Sequence, residues 1–368
     1  MQEMKTEKLQ PIELPQLPES PLVSVLVANY NYAKYVGEAI ESALKQTYSN
    51  LEIIVCDDGS KDNSCEIIET YVQKDSRVKL IRKQNGGVSS ALNAAYRNSQ
   101  GQIVCLLDAD DVWTQDKLQI MIAAFHANSK AGFGVHNIIK IDGEGKLIKS
   151  NPMFSNLPSG WLGPFALDNG GFIYNVPLGS ALCIRREVSD LIFPLDETLV
   201  RNVDSLICYI AACTTEIVSV PDVHSMYRVH STNLTVAKSL TADYLEREIN
   251  AFRRVHHEQK QFLKNFYGNE VAEKLTDLDY SWTYLQYRYL LSHLQYKSKS
   301  ETKEAHQRLI NHPQFNFVGS QQWLLRWGEY LPHFLFMVLF DTVYGSNWLK
   351  RLAKVLLKRT RVPSRAYR

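Results

Sequence analysis

The sequence predicts an α/β fold: a mostly parallel sheet flanked by helices, followed by a helical C-terminal region. Three observations predict it. Short apolar, β-branched runs alternate over residues 22–107 with segments that carry apolar residues at helical spacing. Three of these runs stop at polar clusters, Asn29-Tyr30-Asn31, Asp57-Asp58-Gly59 and Asp108-Ala109-Asp110-Asp111. From about Lys238 the strand signals give way to a mostly helical pattern.

Leu22 to Ala28 reads as a buried strand that runs into the first polar cluster. Tyr35 to Gln46 follows as a helix, with Val36, Ala39, Ile40, Ala43 and Leu44 at helical spacing. Leu51 to Cys56 is a second strand, Asp62 to Val72 a second helix and Val78 to Ile81 a third strand. Asn85-Gly86-Gly87 turns the chain into a helix over Val88 to Arg97, and Ile103 to Leu107 forms a fourth strand leading to Asp108. Parallel sheets with both faces covered need such uninterrupted apolar strands. Open sheets of this kind bind ligands at the carboxyl ends of their strands, where the polar clusters fall. The pattern becomes irregular over residues 131–230, with many Gly and Pro. Further on, Tyr280, Tyr284, Tyr287, Leu291 and Leu294 recur at 4-3-4-3 spacing, as a helix packed on a core would show.

The composition is that of a globular protein, 45% apolar and 22% charged with a formal charge of +2. That balance argues against a nucleic-acid partner, which calls for a strong basic excess. The six cysteines form no CxxC pair, and Cys56 and Cys105 lie inside strand runs, so reduced core thiols are expected. Residues 1–20 are polar and proline-rich and read as a flexible lead-in without a signal peptide. The expected division is lead-in 1–20, α/β domain 21–237 and helical region 238–368, in a cytoplasmic protein.

Asp108 and Asp110 stand two apart at a strand end, so an extended chain would point both carboxylates to one side. Mg²⁺ and Mn²⁺ take such oxygen ligands, and Mg²⁺ leaves its remaining positions to substrate phosphates and water. A cation there would neutralise charge on a diphosphate leaving group. The alternative is that these acids turn the chain and cap the helix near Thr114; their place as the third polar strand end favours the site. Asp57 and Asp58 could accept hydrogen bonds from a nucleobase or ribose, or simply make a turn. Asn85-Gly86-Gly87 could approach a phosphate at a helix N-terminus.

Several of these segments together resemble family 2 glycosyltransferases. They are Val23-Ser24-Val25-Leu26-Val27-Ala28-Asn29-Tyr30-Asn31, Ala39 to Tyr48, Glu52 to Ser64, Asn85-Gly86-Gly87-Val88-Ser89 and Leu107-Asp108-Ala109-Asp110-Asp111. The resemblance covers about residues 21–235. It implies a GT-A (nucleotide-diphospho-sugar transferase) fold, a nucleotide-sugar donor, usually a UDP-sugar, a divalent metal and inversion at the anomeric carbon. It places Ala28, Asn29, Tyr30, Asp57, Asp58, Asn85, Gly86, Gly87, Asp108, Ala109 and Arg228 on the donor. It places the metal, Mn²⁺ or Mg²⁺, on Asp110 and Asp108 with His230 completing the shell.

Asn175 to Arg186 resembles the segment lining the sugar and acceptor side. The family's catalytic base lies in a Glu-Asp-x-Asp-Leu-like stretch that opens a helix. Counting back from Val220-Pro221 and Tyr227-Arg228-Val229-His230, that position falls on Asp204. Val203 stands at the usual Glu position and Leu206 at the second Asp position, so Asp196 and Glu197 are substitute candidates. The departure also keeps a second function class in view, a non-catalytic nucleotide-sugar or carbohydrate-binding protein on the same fold.

Gln322-Trp323-Leu324-Leu325-Arg326-Trp327 is similar to the Gln-x-x-Arg-Trp motif of processive synthases but has one residue too many, and reads as an amphipathic helix. Leu331 to Phe340 is strongly apolar but shorter than the roughly twenty residues that span a bilayer. After Asp341 come only basic charges: Lys350, Arg351, Lys354, Lys358, Arg359, Arg361, Arg365 and Arg368. Residues 320–368 therefore either lie on an anionic membrane, at its cytoplasmic face, or pack as a core or homodimer helix. The expected partners are the nucleotide-sugar donor and a carbohydrate or lipid-linked acceptor.

Overall fold

The computed structural model describes residues 8–177, 179–231, 233, 240–295, 298–313, 315 and 321–344. The described chain forms two compact units, one of residues 1–230 and 251–278, the other of residues 231–250 and 279–368. This differs from a single boundary at 237, because a helical segment returns to the first unit.

In the first unit β1 (Val23–Asn29), α1 (Val36–Leu44), β2 (Leu51–Asp57), α2 (Ser64–Lys74), β3 (Val78–Arg82), α3 (Val88–Arg97) and β4 (Ile103–Leu106) follow the predicted alternation. Then come β5 (Val112–Trp113), α4 (Lys117–Ala127), β6 (Ala131–Asp142), α5 (Gly163–Asp168), β7 (Leu182–Arg185), α6 (Arg186–Ile192), α7 (Val203–Thr214) and β8 (Glu216–Val229). The eight strands make one sheet in the order β3-β2-β1-β4-β7-β6-β8-β5. The β3-β2-β1-β4 half is parallel, β7 runs antiparallel to both β4 and β6, β6 and β8 are parallel, and β5 is antiparallel to β8.

Alternation along β1 separates two cores. Val23, Val25 and Val27 face Val36, Ala39 and Ile40 of α1, Ile68 of α2 and Met121 of α4. Leu26 belongs to the opposite layer, with Ala91 and Ala95 of α3, Val188 of α6 and Ile207 of α7. Successive side chains of a strand point to opposite faces, so a strand covered on both sides must be apolar throughout.

Residues 8–20 are not a free lead-in in this structure. Leu17 is buried, and Leu9, Ile12 and Leu14 pack against the core. The Ile12 N–H donates to the Thr214 carbonyl at 2.8 Å, and the Pro15 carbonyl accepts from Arg185 Nη2 at 2.5 Å. Proline-rich composition marked a segment without helix or strand; these contacts order it through side chains and single backbone bonds instead.

α8 (Ala242–Tyr267) and α9 (Asn269–Ala272) precede α10 (Trp282–Leu294), α11 (Lys299–Ile310), α12 (Gln322–Trp327) and α13 (His333–Tyr344). The second unit has its own core of Leu285, Tyr289, Leu290, Leu309, Leu324 and Phe336. On α10, Tyr284 is buried, while Tyr280 precedes the helix and is exposed, so the buried face is broader than the predicted stripe and shifted from it. The basic residues after Asp341, and Trp348, lie outside the described residues.

Candidate active site

The three strand ends lie side by side at one edge of the sheet, and the loops after β1, β2 and β3 are tied to one another. Asn29 at the end of β1 donates from Nδ2 to Asp57 Oδ2 at 2.7 Å. Ser60 donates to the same carboxylate from its backbone N–H at 2.9 Å and its hydroxyl at 2.7 Å. Burial pushes the Asp57 carboxyl up, but the hydrogen bonds from Ser60 and Asn29 outweigh it and hold it low. Asp58 accepts from the Gly86 N–H at 3.0 Å, the Gly87 N–H at 2.7 Å and Lys83 Nζ at 2.7 Å. Asn85 Nδ2 donates to the Asp58 carbonyl at 3.0 Å. The carboxylates of Asp57 and Asp58 are buried and engaged by the loops themselves, and the Gly86 and Gly87 amides point at Asp58 rather than outward to a phosphate. Asn29 is buried and Tyr30 exposed, so of this loop Tyr30 presents its side chain to solvent.

At the end of β4 the chain turns instead of staying extended: the Asp111 N–H closes on the Asp108 carbonyl at 3.1 Å. Asp108 and Asp110 therefore follow a turn rather than an extended strand, and they take different hydrogen-bond and packing neighbours. Asp110 Oδ2 lies 2.9 Å from His230 Nε2. β5 explains this contact. It pairs antiparallel with β8 in the register Val112↔Met226, which carried two residues further puts Asp110 opposite Arg228. The His230 ring stacks on Tyr35, the residue before α1, with centroids 4.7 Å apart.

Arg228 is turned inward. Its backbone N–H donates to Asp111 Oδ1 at 2.9 Å, Nε to the Asp110 carbonyl at 2.7 Å and Nη2 to Glu38 Oε2 at 2.6 Å. The guanidinium is buried and also lies 5.0 Å from the Tyr35 ring centre. These bonds make the side chain a brace that holds the Asp110–Asp111 turn against α1.

Asp108 sits against Gly179 and Ser180, in a short 3₁₀ turn before β7. Its N–H donates to Ser180 Oγ at 2.9 Å, and that hydroxyl donates to Asp111 Oδ2 at 2.7 Å. The Ser180 carbonyl is fixed by three donors, Lys117 Nζ at 2.8 Å, Ser225 Oγ at 2.9 Å and Trp113 Nε1 at 3.0 Å. Gly179 has φ +57°, and a β-carbon there would stand 2.4 Å from Asp108 Oδ2. Asp108 reaches solvent, yet the protein packed round its carboxyl, then the charges of Asp111, Asp110 and Asp204, push it well above the usual carboxylate range. Asp111 is pushed up to about 7, first by burial and then by Asp110. This is a site with an excess of negative charge.

Asp204 lies in the first turn of α7, half-buried, and its Oδ1 accepts from the Ser205 N–H at 2.9 Å. Burial raises its carboxyl, against hydrogen bonds from the backbone of Ser205 and Gly179. Asp204 and Asp108 thus converge on Gly179 from two sides. The substitutes do not join them: Asp196 is bound to Arg254, and Glu197 to Ser90 and Asn93. Sequence reasoning missed Glu38, Tyr35, Lys117 and the bonding role of Ser180. Only Gly179-Ser180 carried a local signal, a Gly-Ser pair after Pro177 in an otherwise apolar run.

Residues 24–184 match the model of glycosyl transferase family 2. This segment is a family 2 glycosyl transferase domain. An uncharacterized glycosyltransferase of Nostoc sp. is 36% identical over 57% of this chain and 66% of its own length. The chondroitin synthase of Pasteurella multocida is 39% identical over 32% of this chain, but the match spans only 12% of that enzyme. Among solved structures, the 1–349 fragment of S. aureus TarS covers 88% of this chain and 91% of its own, with 18% identity and a TM-score of 0.54. The same fragment is also known in complex with UDP. The mannosyltransferase PcManGT of Pyrobaculum calidifontis, in complex with GDP-Man and Mn²⁺, covers 94% of this chain and 88% of its own, with 18% identity and a TM-score of 0.53. These likenesses show a GT-A-like fold.

The residues present suit a divalent cation. Asp110 Oδ2 and His230 Nε2 are close enough to share one ion, and a cation there would offset the crowding of carboxyls that, with burial, pushes Asp108 and Asp111 up. Among the described residues no group of three or more His, Cys, Asp or Glu side chains could hold a metal. Two protein ligands, with the rest from phosphate and water, is how Mg²⁺ is commonly held.

Proposed function

We propose that the protein is an inverting glycosyltransferase that moves a sugar from a nucleotide-sugar donor, a UDP-sugar, to an acceptor hydroxyl. The observation that carries this is the convergence of Asp204 and Asp108 on Gly179, beside the Asp110–His230 pair. The tied loops Ala28–Asn31, Asp57–Ser60 and Asn85–Gly87 shape the nucleoside side, with Asp57 and Asp58 acting through the loops they hold. Asp110 with His230, and Asp108 beside them rather than as a third ligand, would hold a divalent ion, which when bound neutralises charge on the leaving diphosphate. Arg228 keeps Asp110 in place.

Asp204 accepts the proton of the acceptor hydroxyl as that oxygen attacks the anomeric carbon and the bond to the nucleoside diphosphate breaks. Its raised pKa suits a general base, whose efficiency is best near the working pH. The acceptor is a carbohydrate or lipid-linked glycan, and the protein works at the cytoplasmic face of a membrane as a peripheral component. Enzyme-dependent UDP release from a panel of UDP-sugars tests the reading. Release that disappears in Asp204→Asn while UDP is still bound supports it; UDP binding with no release from any donor would make the protein a binder instead.

A further inference from the structure

We propose that the exposed aromatic face of α12 and α13 is the surface through which this protein lies on an anionic lipid membrane. Trp323 is 54% exposed and Trp327 49%, four residues apart on α12. On α13, Phe334 is 66% exposed and Val338 55%, again four apart. Tyr330 lies between the helices, 72% exposed and 6.1 Å from the Trp327 ring. Residues four apart share a helix face, so each helix shows one apolar stripe to solvent. The opposite faces are already occupied: Leu324, Leu325, Phe336 and Phe340 are buried in the core of the same unit. The stripe is therefore surplus to folding.

Its chemistry selects the occupant. Trp and Tyr are the side chains that settle at the boundary between headgroups and acyl chains, with an apolar body and a polar tip. An exposed Arg326 stands within the stripe, and the sequence after Asp341 carries eight basic residues and no acidic one. Basic charge beside an apolar anchor is attracted by anionic lipid and strengthens a contact that one short stripe would make only weakly. None of the described helices is long and apolar enough to cross a membrane. The inference rests on the peripheral location proposed above and names the face responsible.

The test is sedimentation of the full chain with vesicles of phosphatidylcholine alone and of phosphatidylcholine mixed with phosphatidylglycerol. The unaltered protein is expected to bind the anionic vesicles, less at high salt, and the neutral ones weakly. Trp323→Ser/Trp327→Ser/Phe334→Ser should weaken that binding about a hundredfold, the scale for withdrawing three half-exposed aromatic side chains. Phe334→Glu/Val338→Glu, which keeps both tryptophans, should weaken it as well; unchanged circular dichroism confirms that each variant is folded. Equal binding by the unaltered protein and both variants would overturn the assignment of the face but leave the membrane location standing. No vesicle binding by the unaltered protein would overturn both. A dimer in solution that these variants convert to monomer, with vesicle binding unchanged, would make the face a contact between two copies and overturn the proposal.

Discussion

Gly179 and Asp108 occupy each other's space: a β-carbon on Gly179 would stand 2.4 Å from Asp108 Oδ2, and the Gly179 backbone is at φ +57°. Gly179→Ala therefore carries two costs, about 1 kcal/mol or more for the left-handed conformation and the displacement of the Asp108 carboxylate. UDP release should fall by roughly a hundredfold or more, since shifts of about 1 Å at a reacting centre have that effect. Circular dichroism should show a folded protein. Unimpaired turnover would separate Asp108 from the reaction.

Ser180 is bonded through both its hydroxyl and its carbonyl beside the candidate site. Its hydroxyl accepts from the Asp108 N–H and donates to Asp111. Ser180→Ala leaves both groups without that partner, at a cost of about 1–3 kcal/mol. A lower thermal midpoint in calorimetry checks this, and an unchanged midpoint would contradict it.

Glu38 touches none of the acids but holds Arg228, which in turn holds the Asp110 carbonyl and the Asp111 side chain. Glu38→Ala should raise the Mn²⁺ concentration needed for half-maximal turnover by about tenfold, as loss of outer-shell support does, with Glu38→Asp partly restoring it. His230→Ala should raise it further. A turnover indifferent to chelation would remove the metal from the account.

The parallel half of the sheet was legible because strands covered on both faces must be near-continuous apolar runs, and Val25–Ala28, Ile53–Cys56 and Ile103–Leu107 are. The polar clusters marked their ends. The rest of the sheet was not legible, because β7 enters antiparallel between β4 and β6, and β6 pairs with β8 through three register shifts. Such partners lie far apart in sequence and leave no local period. Arg228 shows the same limit at one residue: its type suits a phosphate, but Glu38, 190 positions away, turns it inward. Asp58 was readable as the polar end of a strand, whereas its engagement by Gly86 and Gly87 depends on how β2 and β3 bring two loops together.

The raised pKa of Asp204 sets opposite pH dependences for activity and stability. Only the ionised carboxylate accepts a proton, so turnover should rise with pH along a limb lying above the ordinary Asp value of about 3.9. Stability moves the other way. The folded state keeps its proton at pH values where the unfolded chain has lost it, so this residue's contribution is highest below the unfolded pKa and falls until the folded pKa is passed. Asp204→Asn should accordingly be more stable than the unaltered protein at neutral pH and no more stable in acid. Denaturation midpoints measured against pH check the sign, and a variant less stable at neutral pH would contradict it.

The most direct test of the central claim compares UDP binding and UDP release in the unaltered protein and Asp204→Asn, with Mn²⁺ and a panel of UDP-sugars. The account predicts that both bind UDP with similar affinity and that only the unaltered protein releases it from a UDP-sugar in the presence of an acceptor. Full release by Asp204→Asn would contradict it.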